Sequence, residues 1–242
     1  MTFSIVARCP RTGMLGVGTS SKALAAGAMV PFARAGVGAI ASQSFTNPYL
    51  GIDGLTLMSQ GLPAERALER LIEGDAGRDL RQVGVVDHEG RPAAYTGERC
   101  ISWAGSVSGP GYLCLGNILT GEQVIKAMAA AFEQTADEDL PERLVWALEA
   151  GQDAGGDRRG RQSAGVYVVN EEEYAWCDLR VDDHPDPVPE LRRVFEVWKR
   201  EAMMLVRFMP TRADFTPVWN AVGQLREQIE RELEEVTAVK ES

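Results

Sequence analysis

Hydrophobic and polar positions along the chain fall into short alternating or apolar runs separated by turn residues, with two stretches of helical spacing between them. Residues 2–8 (TFSIVAR) concentrate β-branched and aromatic side chains and predict a strand. Cys9-Pro10-Arg11-Thr12-Gly13 predicts a turn, because Pro presets φ and Gly permits a positive one. Residues 14–20 return as a second strand, so the chain opens on a hairpin. Residues 37–45 (VGAIASQSF) predict a third strand. Helices are expected over 51–60 and 63–73; Pro63 suits a first turn, Ala67, Leu68, Leu71 and Ile72 share a face, and Gly74 ends the run.

The alternation then repeats. Residues 81–86 and 91–96 pair across the turn Asp87-His88-Glu89-Gly90, and 111–117 (GYLCLGN) predicts a further strand. Helices follow over 122–132 and 142–150. After a loop at Gly155-Gly156-Asp157, strands 163–170 and 174–181 form a hairpin. Two blocks of antiparallel strands thus alternate with two helical pairs. Such an order can bury two sheets face to face with helices outside, a four-layer α/β/β/α sandwich of the α+β class. An α+β domain with a single antiparallel sheet satisfies the same order. Past the linker Asp182–Pro187 the character changes: Leu191, Val194, Phe195, Trp198, Ala202 and Leu205 recur at helical spacing, and a charged helix is expected over 215–236. Residues 1–190 read as the main domain and 191–242 as a helical extension, which would pack on the domain or make a dimer contact.

Composition narrows the function classes. Of 242 residues, 45% are apolar and 25% charged, a globular balance, and the net charge of -10 disfavours a nucleic-acid partner. The one basic cluster, Arg158-Arg159-Gly160-Arg161, is short and follows an acid. No apolar run approaches the ~20 residues of a membrane span, and no secretory signal is visible, so a cytoplasmic protein is expected. The four cysteines are widely spaced without a CxxC and are expected as free thiols. There is no GxSxG, and the two histidines, His88 and His184, lack an evident serine partner. A divalent ion between Asp157 and His184 is a third reading, but no cofactor or metal is expected.

Several blocks match one family in order. They are Thr2–Arg8, Gly36-Val37-Gly38-Ala39, Arg81–Asp87, Gly116-Asn117, Gly155–Ser163 and Asp178–Pro185. Over roughly residues 1–190 the chain resembles the domain-of-unknown-function family 1028, grouped by fold with N-terminal-nucleophile (Ntn) hydrolases. The resemblance implies the four-layer fold and supplies no substrate. It does imply a chemistry, in which the first residue's side chain is the nucleophile and its free α-amine the base. That amine has an ordinary pKa near 7.7–8.0, so part of it is already neutral near pH 7.

On that reading Thr2, exposed by removal of Met1, is the nucleophile of an amidohydrolase acting on a small or peptide-like amide. Otherwise Thr2 is a strand-edge residue behind a retained Met, in an inactive binding or assembly protein that keeps the fold. Lys22 would lower the nucleophile's pKa electrostatically, though it sits earlier than the proteasome pattern implies; otherwise it is a solvent-facing lysine. Asn117 is a candidate oxyanion donor or a turn residue. Asp157 and Ser163 would position the nucleophile, or simply stiffen their loop. Ser42, Gln43 and Ser44 would line the cleft, and Arg159 or Arg161 would hold a substrate carboxylate. Self-association, as a dimer, is expected.

Overall fold

The computed structural model describes residues 2–215, 223 and 226–231. The chain divides into two compact units, Met1–Glu196 and Val197–Ser242. In the first, strands β1 (Thr2–Arg8) and β2 (Leu15–Ser21) form the opening hairpin. A one-turn helix α1 (Ala26–Met29) and a short strand β3 (Pro31–Arg34) lead to β4 (Gly38–Ser44). Helices α2 (Pro48–Ser59) and α3 (Ala64–Gly74) follow, then β5 (Arg81–Asp87), β6 (Pro92–Thr96), β7 (Gly105–Gly109) and β8 (Tyr112–Asn117). Helices α4 (Gln123–Gln134) and α5 (Leu140–Asp153) precede the hairpin of β9 (Ser163–Val169) and β10 (Ala175–Val181), and α6 (Pro187–Glu201) follows it. In the second unit α7 spans Met203–Arg207. The charged helix expected over 215–236 lies for the most part outside the described residues.

Two antiparallel sheets result, one in the order β10-β9-β2-β1-β8-β7 and one in the order β3-β4-β5-β6. Period-2 alternation assigns their faces. Val6, Val17, Leu113, Leu115 and Val169 of the larger sheet meet Ala39, Ala41 and Val86 of the smaller one in a core between them. The outer face of the small sheet, Ile40, Val83 and Val85, is covered by Leu50, Leu55 and Met58 of α2 and Ala67, Leu68 and Leu71 of α3. The outer face of the large sheet is covered by α4 and α5. A Cβ on Gly16 would stand 2.7 Å from Val168 Cγ2 and 3.2 Å from Leu144 Cδ1, so bare backbone lets α5 ride close to β2. The layers are α/β/β/α, and the single-sheet alternative is excluded.

Most strand boundaries agree with the sequence expectation to within one residue; the exceptions have local causes. Helix α2 starts three residues early because Asn47 is a true N-cap, its Oδ1 accepting from Tyr49 N–H at 3.1 Å, with Pro48 at the first helical position. The edge strands β3 and β7 were not expected. β3 opens on Pro31, which an edge tolerates, and β7 (GSVSG) has low strand propensity and is held by its register with β8. Among the described residues no helix is long and apolar enough to cross a membrane.

One buried carboxylate ties the layers together away from the candidate site. Asp87 accepts from the N–H groups of Ala64, Glu89 and Arg91, each at 3.0 Å, and from Arg91 Nε at 2.7 Å. Burial alone would push its carboxyl up; these donors more than offset that and hold it below the ordinary carboxylate range. A depressed folded pKa stabilises above the unfolded value of about 3.9, and that contribution disappears as pH falls through the folded value. Asp87→Ala is therefore expected to lose about 2–3 kcal/mol at pH 7 in denaturant titrations, with a gap that narrows in acid. Equal losses at pH 7 and at about pH 2.5 would remove the charge from this account.

Candidate functional site

The opening hairpin sets the site. Its turn gives a register in which Thr2 stands opposite Ser21, while on the other flank of β1 Thr2 stands opposite Asn117 of β8, and Ser21 in turn opposite Ser163 of β9. One row therefore crosses four strands at one end of the large sheet: Asn117, Thr2, Ser21, Ser163. Thr2 shares with Ser4 and Val6 the face of β1 that looks toward the small sheet. Its side chain is 4% exposed, and its Oγ1 donates to Ser21 Oγ at 3.2 Å.

Beneath Thr2 lies a buried amide network between the two sheets. Gln43 of β4 stands opposite Gln82 of β5. Gln43 Nε2 donates to the Thr2 carbonyl (3.3 Å) and to Gln82 Oε1 (2.8 Å), while its Oε1 accepts from Ser4 Oγ (2.6 Å), which lies 2.9 Å from Thr19 Oγ1. Gln82 Nε2 donates to the carbonyls of Gly116 (2.8 Å) and Gly105 (3.2 Å) and lies 3.0 Å from Thr96 Oγ1. Asn117 Nδ2 donates to Gln82 Oε1 at 2.8 Å, and Asn117 Oδ1 is buried without a hydrogen-bond partner among the described residues.

The chain leaves the sheets here in strained conformations. Ala25, Ser44 and Ile118 are the described non-glycine residues with positive φ, at 53°, 71° and 51°. They lie just past β2, at the end of β4 and just past β8, all at the Thr2 end. Left-handed backbone costs about 1–3 kcal/mol per residue and persists only where surroundings over-determine it. They do so here. Ser163 Oγ donates to the Ala23 carbonyl (2.6 Å) and accepts from Ala26 N–H (3.0 Å). Ile118 N–H donates to the Ile101 carbonyl, and the Ile118 carbonyl accepts from Arg158 N–H, each at 3.0 Å.

The loop before β9 is organised by Asp157. This 5%-exposed carboxylate accepts from Lys22 N–H (3.0 Å), Arg159 N–H (2.9 Å) and the Arg159 guanidinium (2.9 and 3.2 Å). Among the described residues the buried charged side chains are Asp87, Arg143 and Asp157, and of these only Asp157 belongs to this end of the sheet. The side chain of Lys22 is exposed, running past Gly160.

The structure thus brings together Thr2, Asn117 and Gln43, with Ser163 reached through Ser21, and Asp157 and Lys22 on the adjoining loop. It separates others. Ser42, Gln43 and Ser44 cannot all line one cleft, because successive strand residues face opposite sides. Gln43 points inward, whereas Ser42 Oγ donates to the Asn47 carbonyl and Ser44 Oγ lies 3.6 Å from Cys100 Sγ. Arg159 is engaged with Asp157, and Arg161 pairs with Asp186 at 2.5 Å. His184 Nδ1 accepts from Asp186 N–H, and among the described residues no group of three or more His, Cys, Asp or Glu is arranged to hold a metal. Ser21 and Gln82 were missed. Ser21 was implicit in the hairpin turn, and Gln82 was signalled by an amide in an otherwise apolar strand.

Fold and site define a four-layer α/β/β/α sandwich with a threonine, an asparagine and two serines aligned at the end of its larger sheet. The chain matches the Family of unknown function (DUF1028) over residues 2–191 and belongs to that family. A crystal structure of a protein of this family from Silicibacter pomeroyi is 30% identical, covers 90% of this chain and 95% of its own, and superposes with a TM-score of 0.82. Two Anbu (ancestral beta-subunit) structures overlap only loosely. The one from Yersinia bercovieri is 12% identical with a TM-score of 0.40, covering 86% of this chain and 98% of its own. The one from Hyphomicrobium sp. strain MC1 is 10% identical with a TM-score of 0.39, covering 83% and 96%. No curated protein matches the chain.

Proposed function

We propose that this chain is an Ntn-type amidohydrolase that cleaves a small or peptide-like amide with Thr2 as nucleophile after Met1 is removed. The observation that carries this reading is the row Asn117-Thr2-Ser21-Ser163, ringed by three strained strand exits at the same end of the sheet. Removing Met1 leaves the Thr2 hydroxyl and a free α-amine on one residue. The amine takes the hydroxyl proton as Oγ1 attacks the carbonyl carbon. Collapse of the tetrahedral intermediate breaks the C–N bond, the leaving amine takes that proton, and water then hydrolyses the ester on Thr2.

The side chains hydrogen-bonded at and beneath Thr2 are neutral amides and hydroxyls, which supports the amine itself as base, and on this reading Lys22 of the adjoining loop favours the nucleophile's developing anion. Leu24, Phe45 and Ile101 are 60%, 62% and 54% exposed on the segments that follow Ser21, follow Gln43 and bond to Ile118. That apolar rim suits a substrate with an apolar group beside the scissile amide. The enzyme so read works in the cytoplasm without a cofactor, as a dimer.

The test is the intact mass and N-terminal sequence of the untagged protein. A mass short by one methionine, with Thr first and a stoichiometric adduct with an amide-mimicking electrophile, is expected. A fully retained Met1 would sink the assignment and leave a binding protein on the same fold, because an acylated amine cannot act as base.

A further inference from the structure

The orientation of the amide network singles out one atom. The carbonyls of Gly116 and Gly105 can only accept, so the Gln82 amide must turn its nitrogen to them and its Oε1 the other way. Gln43 is fixed in the same manner by the Thr2 carbonyl. Both Gln43 and Asn117 must then present N–H groups to Gln82 Oε1. Asn117 Nδ2 is thereby committed to Gln82, and Oδ1 is turned away, fully buried and without a partner among the described residues. A buried carbonyl oxygen left in this state is costly. This one stands on the residue directly opposite Thr2 and on the same face of the sheet.

We infer that Asn117 is a positioning residue whose Oδ1 accepts a hydrogen bond from the α-amine of Thr2 once Thr2 is the first residue. The inference rests on the reading of Thr2 as the mature start. It replaces the oxyanion-donor role expected for Asn117, since the network commits the amide's donor to Gln82 and leaves its acceptor unpaired among the described residues. Holding one amine N–H on Oδ1 leaves the nitrogen lone pair free for the Thr2 hydroxyl. An acceptor also favours the charged ammonium, so Asn117 holds the amine's pKa above the value it would have alone.

The experiment uses the full chain released from an N-terminal fusion by a protease that leaves Thr2 first. The pH dependence of α-amine labelling by an acylating reagent is followed by mass spectrometry of the N-terminal peptide. Asn117→Ala is expected to lower the labelling midpoint by about one pH unit, the worth of one hydrogen bond to a charged group. Asn117→Asp, which puts a carboxylate beside the ammonium, is expected to raise it, with the lysine midpoints unmoved in both. Identical midpoints in the wild type and both variants overturn the inference.

Should either variant fail to fold, a crystal structure of the wild-type Thr2-first chain decides instead. It is expected to place the amine within about 3.2 Å of Oδ1, and a water on Oδ1 with the amine turned elsewhere overturns the assignment. Labelling needs no turnover, which keeps the two readings separable. Unmoved midpoints with electrophile capture intact remove the role of Asn117 alone; shifted midpoints without capture remove the hydrolase reading alone.

Discussion

Thr2→Ala is expected to abolish amide hydrolysis and electrophile capture together, by about three orders of magnitude or more in kcat, while the protein still folds. Removing a nucleophile eliminates the covalent route, and what remains is binding and orientation only. The structural cost is small because Thr2 sits at the very end of β1. The substitution deletes one hydroxyl bond, to Ser21, worth about 1 kcal/mol. The Thr2 carbonyl keeps its donor, Gln43 Nε2, since that bond is to backbone. Alanine also permits removal of Met1 as threonine does, so processing and chemistry are uncoupled in this variant. Thr2→Ser is the informative companion: it keeps both hydroxyl and amine and should retain capture. If Thr2→Ala hydrolyses and is labelled like the wild type, the nucleophile lies elsewhere.

The reason so much of this site was legible in sequence is that its centre is a hairpin. A turn at 9–13 between two predicted strands puts the two chain segments in register, and Thr2 at the strand end follows. Asn117 was legible as the terminus of an apolar strand. The illegible part is everything that depends on which strands become neighbours. That β1 lies between β2 and β8 is a tertiary fact with no local signature, as is the stacking of Gln43 and Gln82 beneath Thr2. The polar run at 42–44 was visible, but its chemistry divides by strand parity: only the middle residue faces the site. The Asp157 loop looked like catalytic apparatus because it is dense in charge. In the fold its carboxylate accepts from Arg159 of its own loop and from Lys22 N–H, partners that charge density alone does not name.

The deepest consequence of the network concerns Gln82, which like Gln43 bonds to residues of both sheets. Its oxygen receives N–H groups from Gln43 and Asn117, and its nitrogen serves carbonyls of β7 and β8. Deleting it leaves two donors, on the fully buried Gln43 and Asn117, and the carbonyl of buried Gly116 without their Gln82 partner, each costing about 1–3 kcal/mol if unmet. Water entering the vacated volume will recover part of that, so Gln82→Ala is expected to lose about 3–5 kcal/mol, read from chemical denaturation. Gln82→Leu fills the volume but cannot admit the water, and should be at least as unstable. A shape-only role predicts the opposite order, with leucine close to wild type and alanine worse by the cavity term alone. The comparison of the two variants therefore asks whether the sandwich is held at this end by packing or by the amide network. Activity adds a second reading: with Gln82 gone, Asn117 is free to rotate, so surviving protein should lose its hold on the Thr2 amine before it loses its fold.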